Sequence, residues 1–594
     1  MEQTKNKKLG IALSGGGFRA SLFHIGVLAS LAENDILKDL QVISCVSGGS
    51  IIGAYYYLHL KKLLESKEDT KITKTDYINI IKEIETDFLE NVQKNLRVKI
   101  LSSLKSNFKM VFWGDEYSRS DRIANLYDWH FYNKFCDDFD SNNDGKISMN
   151  ELIIHPYGVI EPEKIRDLNE SRINKIPMLI INSTTLNTGR NWQFTAVDMG
   201  EREELIEENK EYNKNSLFKS FKYKSASVKS LEKLFGKEVY EKYLYVPLRI
   251  AVASSASVPG VFTPMALTKL YIDIVPLLVD GGVYDNQGIS SILYENCDEI
   301  IISDASGQMD FEKKTNNDSF GVLRRANSIM MNRIRNLEFE FLSKYGDTKH
   351  FMILHLREDL DTKIILPSQK KDKNEIERTR NTYYGINKYV QFLLSKLRTD
   401  LDSFTDVEAY SLMYSGYCMS NFNLKRFRNI EFKNNLSNVW NFLNIKEYCE
   451  SINNEKFIDQ LKNGKKTLIK TRRISILLFL LQLLIFIFTA FVTLLPIIIV
   501  YIFFDKIKIF GISLLCIMLY AYFIASLVFL ISLLSRFIST IQKHFVYVIT
   551  TGIISFFIAL SGSIMSKLYL LLINNRVNEM GKISRLKINV SIKF

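Results

Sequence analysis

Three short runs in this sequence bring together residue types that could do chemistry. The first is Ser14-Gly15-Gly16-Gly17-Phe18-Arg19-Ala20. Consecutive glycines let the backbone turn sharply and expose N–H groups at a helix N-terminus, which suits an anion. That anion could be a nucleotide phosphate or the oxyanion of a tetrahedral intermediate. A dinucleotide site would also want an acidic residue at the end of the next strand, and here that strand ends in a serine turn. The second run, Cys45-Val46-Ser47-Gly48-Gly49, fits a nucleophile elbow, in which a strand turns abruptly into a helix and lifts a serine above the sheet edge. Small neighbours are needed there because the two backbones approach closely. The third run, Val279-Asp280-Gly281-Gly282, is either a plain turn or the source of the base that a serine nucleophile requires. Histidine is the usual base, but the 7 histidines are dispersed and none stands in a triad context. His24, one turn inside the first predicted helix, reads as structural.

The elements that must position these residues follow from periodicity. Gly10–Ser14 is a short apolar strand ending at three glycines, and Leu22 to Leu31 repeats at helical spacing. Gln41–Val46 is a second strand, followed by glycines and a helix-like run from Ile51. Further apolar strands are expected at Ile176–Ile181 and Glu299–Ser303. Strand, glycine turn and helix in repetition predict an α/β domain with a mainly parallel sheet. Both glycine turns then lie at its carboxyl edge, where such folds bind ligands. Residues 101–173 read as an insertion, and the Lys/Glu-rich stretch from Glu201 to Lys242 as a loop or helical cover.

In order and spacing the three runs resemble patatin-like phospholipases. Supporting matches are Asn182-Ser183-Thr184-Thr185-Leu186-Asn187-Thr188-Gly189, Ala253-Ser254-Ser255-Ala256-Ser257-Val258-Pro259-Gly260-Val261-Phe262 and Arg398-Thr399-Asp400-Leu401. The resemblance covers roughly residues 8–425. It implies a three-layer α/β/α hydrolase domain and a Ser–Asp dyad in place of a triad, with no cofactor required for the chemistry. On this resemblance Ser47 is the nucleophile and Asp280 the base. Gly15, Gly16 and Gly17 with Arg19 make the oxyanion hole, Arg19 either orienting the loop or adding positive charge. Cys45, Gly48 and Gly49 shape the elbow. Two departures are Cys45, where the family elbow has its first glycine, and Ala20, where many members close the loop with glycine. Both are small. The implied activity is hydrolysis of phospholipid or lysophospholipid esters at a membrane surface. An acyltransferase or neutral-lipid esterase with the same dyad, and a catalytically silent lipid-binding scaffold, are the rival readings.

Asp140-Ser141-Asn142-Asn143-Asp144-Gly145-Lys146-Ile147-Ser148-Met149-Asn150-Glu151 has an oxygen donor at each diagnostic position of an EF-hand loop. The expected calcium ligands are Asp140, Asn142, Asp144, the Lys146 carbonyl, Ser148 through water, and Glu151. Gly145 makes the sharp turn and Ile147 points to the core. A helix, Leu126–Phe139, is expected before it. Lys210, Lys214, Lys219, Lys222, Lys224 and Lys229 interleave with Phe218, Phe221 and Tyr223, as in a solvated charged loop or a patch that meets anionic lipid headgroups.

The balance of the chain points to lipid. Lysine and arginine outnumber aspartate and glutamate by 77 to 65, a formal charge of +12, and much of the excess flanks an apolar C-terminal stretch. That arrangement favours anionic lipid over nucleic acid. Three runs, Ile474–Phe504, Ile509–Ser535 and Phe545–Ser566, exceed the roughly 20 residues that cross a bilayer. Lys462, Lys465, Lys466, Lys470, Arg472 and Arg473 precede the first and hold the N-terminal domain in the cytoplasm by the positive-inside rule. Three spans would export the basic tail, which carries Lys567, Arg576, Lys582, Arg585, Lys587 and Lys593, so the last span is the candidate for re-entry. The six dispersed cysteines form no CxxC pair, and no disulfide framework is expected. The polar N-terminus carries no signal peptide pattern. The expected organisation is a catalytic domain at 1–430, a helical basic linker at 431–473, a membrane region of about three helices at 474–573 and a basic tail at 574–594.

Overall fold

The structure is a computed structural model. It describes residues 7–586 except 113–116, 142–143, 160–164, 203–220, 223–245, 269, 272–273, 308, 310–311, 313–314, 345–349, 361–379, 429–438, 466–474 and 506–544. The lysine-rich patch and the second apolar run, Ile509–Ser535, fall almost wholly outside these residues; of the patch only the backbone of Phe221 and Lys222 is described.

The chain opens as a βαβ unit. Strand β1 (Leu9–Leu13) is fully buried, as its uninterrupted apolar run requires, and turns through the glycines into helix α1 (Gly17–Glu33). Strand β2 (Leu40–Val46) follows and turns at Ser47 into α2 (Gly48–Ser66). Helix α3 (Lys74–Gln93) then packs its apolar face inward, with Thr73 and Asp76 forming a capping box. The insertion supplies α4 (Leu104–Phe112) and α5 (Arg119–Tyr127), the latter continuing through tighter and wider turns to Phe139. Next come β3 (Met178–Thr185), β4 (Asn191–Phe194), β5 (Asp198–Glu201), β6 (Phe221–Lys222), α6 (Leu248–Ser255), β7 (Met265–Ala266) and β8 (Leu277–Asp280). The domain closes with α7 (Ile289–Tyr294), β9 (Glu299–Asp304), α8 (Ser319–Lys344), β10 (His350–His355), α9 (Lys388–Ser395) and α10 (Asp406–Arg428).

All ten strands join one sheet, in the order β10-β9-β1-β2-β3-β4-β5-β6 with β7 and β8 beside β3. The five strands from β10 to β3 run parallel, as the βαβ reading requires; β4 to β8 pair antiparallel. One face carries the large core of α1, α2, α3 and α10. The other is covered by α7 and the end of α8, through Ile289, Ile292 and Leu342 against Ala12, Val42, Ile300 and Ile302. The result is the expected three-layer α/β/α arrangement, extended by an antiparallel wing.

One register decides where the site forms. Strand β3 takes β4 on one flank, pairing Ile181–Thr184. The other flank is shared: β2 pairs with β3 up to Val46–Asn182, and β8 arrives from the opposite direction to pair Asp280 with Ser183. The carboxyl ends of β2 and β8 therefore meet head to head on successive residues of β3.

Among the described residues two C-terminal helices are long and apolar enough to cross a bilayer: α11 (Ile476–Asp505) and α12 (Phe545–Tyr569), the second continuing as helix to Met580. They coincide with the first and third apolar runs of the sequence. The end of α12 is docked on the catalytic domain. Asn107 Nδ2 donates to the Ala559 carbonyl, Ser563 Oγ to that of Ser102, and Asn574 Nδ2 to that of Gln93.

Candidate active site

Ser47 stands where β2 breaks into α2, at φ 50° and ψ −117°. For a serine this is a strained backbone, of the kind found where a residue is held for function. Three hydroxyls hold it. Ser47 N–H donates to Ser255 Oγ at 2.9 Å, and Ser255 Oγ in turn donates to the Asn182 carbonyl at 2.5 Å. Ser50 Oγ lies 2.8 Å from the same Ser255 oxygen, and Ser21 Oγ of α1 donates to the Gly48 carbonyl at 2.6 Å.

The glycines of the two turns interlock. A Cβ on Gly48 would lie 2.1 Å from the Gly17 carbonyl oxygen, and one on Gly49 would lie 2.2 Å from that of Leu13. A Cβ on Gly15 would lie 3.1 Å from that of Ser47, so the glycine loop runs directly beside the serine. Cys45, buried beneath the elbow, has its Sγ where a side chain on Gly53 would stand. Its thiol is pushed up by burial, which makes it packing material in place of the first elbow glycine.

Asp280 reaches the same place from β8. Its Oδ1 accepts from the Gly282 N–H at 2.8 Å, while Oδ2 is buried without a hydrogen bond of normal geometry. Burial raises its pKa to about 6, against the opposing pull of the Ser47 hydroxyl and the Gly282 amide. The serine thus sits within reach of a carboxyl group that is desolvated, and tuned toward neutral pH as a general base would be.

The loop residues divide by role. Gly16 and Gly17 take φ of 136° and 58°, and among the described residues their N–H groups meet no protein acceptor. Gly15 does not belong with them: its N–H donates to the Asn286 carbonyl at 2.9 Å. Nor does Arg19 supply the oxyanion hole. Its buried guanidinium donates to the carbonyls of Ala305, Ser395 and Leu397, so it ties α1 to the ends of β9 and α9. The physical reason is geometric: Arg19 lies on α1 past the turn, and the backbone carbonyls around it leave the charge no path to the serine. The loop is braced from below as well, by Phe18 N–H donating to the Asp400 carbonyl and by Arg97 pairing with Asp400 at 2.6 Å. His24 is a fixed structural residue: its ring nitrogens lie 2.7 Å from Ser303 Oγ and 3.0 Å from the Ser14 carbonyl oxygen, and burial lowers its pKa to about 4.

Sequence reasoning passed over three participants. Ser255 and Asn182 lie in runs quoted for the resemblance but received no role. Tyr127, at the end of α5, has a buried hydroxyl with no hydrogen-bond partner among the described residues, pushed up by burial and by the charge of Asp280. No local signal marks Tyr127, because its place beside Asp280 exists only in the folded chain.

The EF-hand-like loop lies away from this centre. Gly145 takes φ 74° and Ile147 is buried, as expected. Asp140 accepts from the N–H of Gly145 at 2.6 Å and more distantly from those of Asp144 and Lys146. Glu151 accepts from Ser141 and Ser148 at 2.8 Å each. Asn142 lies outside the described residues, and among those described no three acidic, histidine or cysteine side chains gather as a metal site. The loop's exit pairs with the segment entering α6, Met149 N–H donating to Val246 and Leu248 N–H to Ile147.

With this geometry in place, the family comparison decides the assignment. The model of the patatin-like phospholipase family matches residues 11–293, the segment that holds all three runs. Residues 11–293 form a patatin-like phospholipase domain. Among solved structures, the chain is similar to the human GIVD cytosolic phospholipase A2 in complex with methyl gamma-linolenyl fluorophosphonate, at 16% identity and TM-score 0.21. That match covers 33% of this chain and only 24% of the human one. It is also similar to VipD from Legionella pneumophila, at 12% identity and TM-score 0.28, over 71% of this chain and 67% of the other. Among curated proteins none matches.

Proposed function

We propose that the patatin-like domain is a serine lipid acyl hydrolase acting on phospholipid or lysophospholipid esters, with Ser47 as nucleophile and Asp280 as base. The observation that carries the reading is the meeting of β2 and β8 on β3, which sets a strained serine against a desolvated aspartate beside two unengaged glycine amides.

Catalysis then runs as follows. The ionised Asp280 accepts the Ser47 proton while Oγ bonds to the ester carbonyl carbon. Negative charge moves to the carbonyl oxygen, where the Gly16 and Gly17 N–H groups receive it; a donor so placed is worth about 3–4 kcal/mol. The intermediate collapses, the ester C–O bond breaks, and Asp280 returns its proton to the leaving alkoxide. Water attacks the acyl-Ser47 ester with Asp280 again as base, and the fatty acid leaves with Ser47 restored. Without a histidine between them, serine and aspartate exchange the proton directly.

The apolar C-terminal helices tether the domain to a membrane, and the basic residues between 462 and 473 place it on the cytoplasmic face. Calcium at residues 140–151 rests on the sequence pattern alone, and bound there it would brace the approach to α6 and so to Ser255.

The deciding measurement is turnover of a short-chain nitrophenyl ester and covalent labelling by an alkyl fluorophosphonate. Both are expected for the wild type, and both should fall to background in Ser47→Ala. Asp280→Asn should lose turnover while remaining folded. Labelling that persists in Ser47→Ala overturns the assignment. Transfer of the acyl group to an alcohol in preference to water turns the reading to an acyltransferase, and no labelling at all turns it to a lipid-binding scaffold.

A further inference from the structure

Helix α8 carries an exposed apolar stripe. Its 26 residues span about 39 Å, roughly twice the length of the strands it follows. Only its C-terminal third packs on the sheet. Leu342 and Phe339 join the core cluster of Ile300 and Ile302. Arg335 Nη1 lies 3.3 Å from His355 Nε2, at the carboxyl end of β10. Glu338 faces Asp285 and Asp304, its carboxyl held well above the usual range by burial and then by those neighbours. Arg335 therefore marks the carboxyl edge of the sheet. Residues 319–334 project beyond it, on the side where Ser47 opens.

Along that projection the apolar residues face away from the protein. Val322, Leu323, Ile329 and Met330, continued by Leu337, are between 46% and 67% exposed. They fall on one side of the helix, recurring about every two turns. Arg325, at the margin of the stripe, pairs with Glu312 at 3.4 Å, and on the other side Met331 and Ile334 are half-buried. An exposed apolar stripe of this kind calls for a partner. Its chemistry is set by charge. Residues 319–334 contain three arginines, 324, 325 and 333, and no acidic residue. Arg333, exposed within the stripe, forms no ion pair among the described residues.

Two other features share this edge. Val258 and Val261 are exposed just past Ser257, whose carbonyl accepts from the Asp280 N–H. The end of α12 docks here too: Asn574 bonds Asn95 and Ser403, next to the Asp400 segment that braces Phe18.

We infer that residues 319–334 of α8 form an interfacial arm that beds its apolar stripe in the headgroup–acyl boundary of an anionic leaflet, holding the Ser47 edge of the domain against the bilayer. An amphipathic helix with arginines and no acids binds in this way. The inference rests on the lipid-hydrolase reading for its purpose, since the arm would bring ester bonds to the carboxyl edge that a tether alone leaves free to tilt.

The full chain in proteoliposomes tests it. An environment-sensitive NBD label on Met330→Cys, read against the labelled wild type, should shift to the blue and be quenched severalfold by doxyl lipids in phosphatidylglycerol-containing vesicles. In phosphatidylcholine vesicles the quenching should be weaker. A label on Lys7→Cys, at the amino edge of the sheet, should stay in water. Leu323→Glu with Met330→Glu should raise KM for vesicle phospholipid about tenfold and leave turnover of the soluble nitrophenyl ester unchanged. A label at 330 that stays unquenched overturns the arm, and equal quenching in both vesicle types overturns its anionic preference. Because the quenching can be read in Ser47→Ala, failure of the arm and failure of the hydrolase reading remain separate results.

Discussion

A single titration links the geometry of Asp280 to activity. Burial raises its pKa to about 6 from an ordinary 3.8, yet in the proposed mechanism this carboxyl must be ionised to take the Ser47 proton. The pH profile of kcat/KM for a soluble ester should therefore climb through an apparent pKa of about 6 and level off above it. The stability effect has the opposite sign. The folded state holds this proton more tightly than the unfolded chain, so the contribution is fully present below the unfolded pKa and is lost as pH rises through about 6. Asp280→Asn, inactive but uncharged, should accordingly melt above the wild type at pH 8, with the gap narrowing toward pH 5. A gap that does not depend on pH would remove the buried carboxylate from the account. The sequence marked Ser47 and Asp280 as candidates, because a strand-end serine between small residues and an aspartate before two glycines are local patterns; that the two lie side by side is a fact of the fold. It grouped Gly15 with the oxyanion hole and left Arg19 between orienting the loop and adding charge, because which acceptor an N–H or guanidinium finds is a matter of neighbours remote in sequence: Asn286 for the first, Ala305, Ser395 and Leu397, in line with the orienting role, for the second.

Between elements, the site depends on how closely two turns can pass. Gly48→Ala drives a methyl to 2.1 Å from the Gly17 carbonyl oxygen, and neither backbone can yield without moving the nucleophile or the oxyanion donors. Overpacking of this kind costs about 1–3 kcal/mol, so chemical denaturation should show at least that loss, with ester turnover falling further than stability alone explains. Arg19→Ala acts differently. It strips three buried carbonyls of their donor and should cost about 3 kcal/mol, visible as a lower denaturation midpoint. The EF-hand-like loop belongs to this scale too. Calorimetric titration should show heat on adding calcium to the full chain, abolished by Glu151→Gln; silence at millimolar calcium ends that part of the reading. The glycine spacing that makes the interlock was legible from the sequence, since only glycine serves where two backbones touch. Ser255, which holds the Ser47 amide, was legible only as part of a motif, because a serine carries no mark of the partner it will meet.

For the molecule as a whole, sequence periodicity was enough to predict alternating strands and helices, a mainly parallel sheet and apolar helices near the C-terminus. These follow from local chemistry: side-chain alternation, glycine at sharp turns, and apolar runs too long for a core helix. Three things were decided by the tertiary structure alone. The first is the head-to-head arrival of β2 and β8 on one flank of β3, which converts two motifs more than two hundred residues apart into one site. The second is the docking of the α12 end beside the Asp400 brace, which puts the apolar helices at the catalytic edge. The third is the outward face of α8, whose stripe would pass by periodicity for an ordinary core-facing one. A repeat of three and four residues shows that a helix has two sides; which side meets the protein is settled by contacts formed across the chain, and those exist only once the sheet has closed.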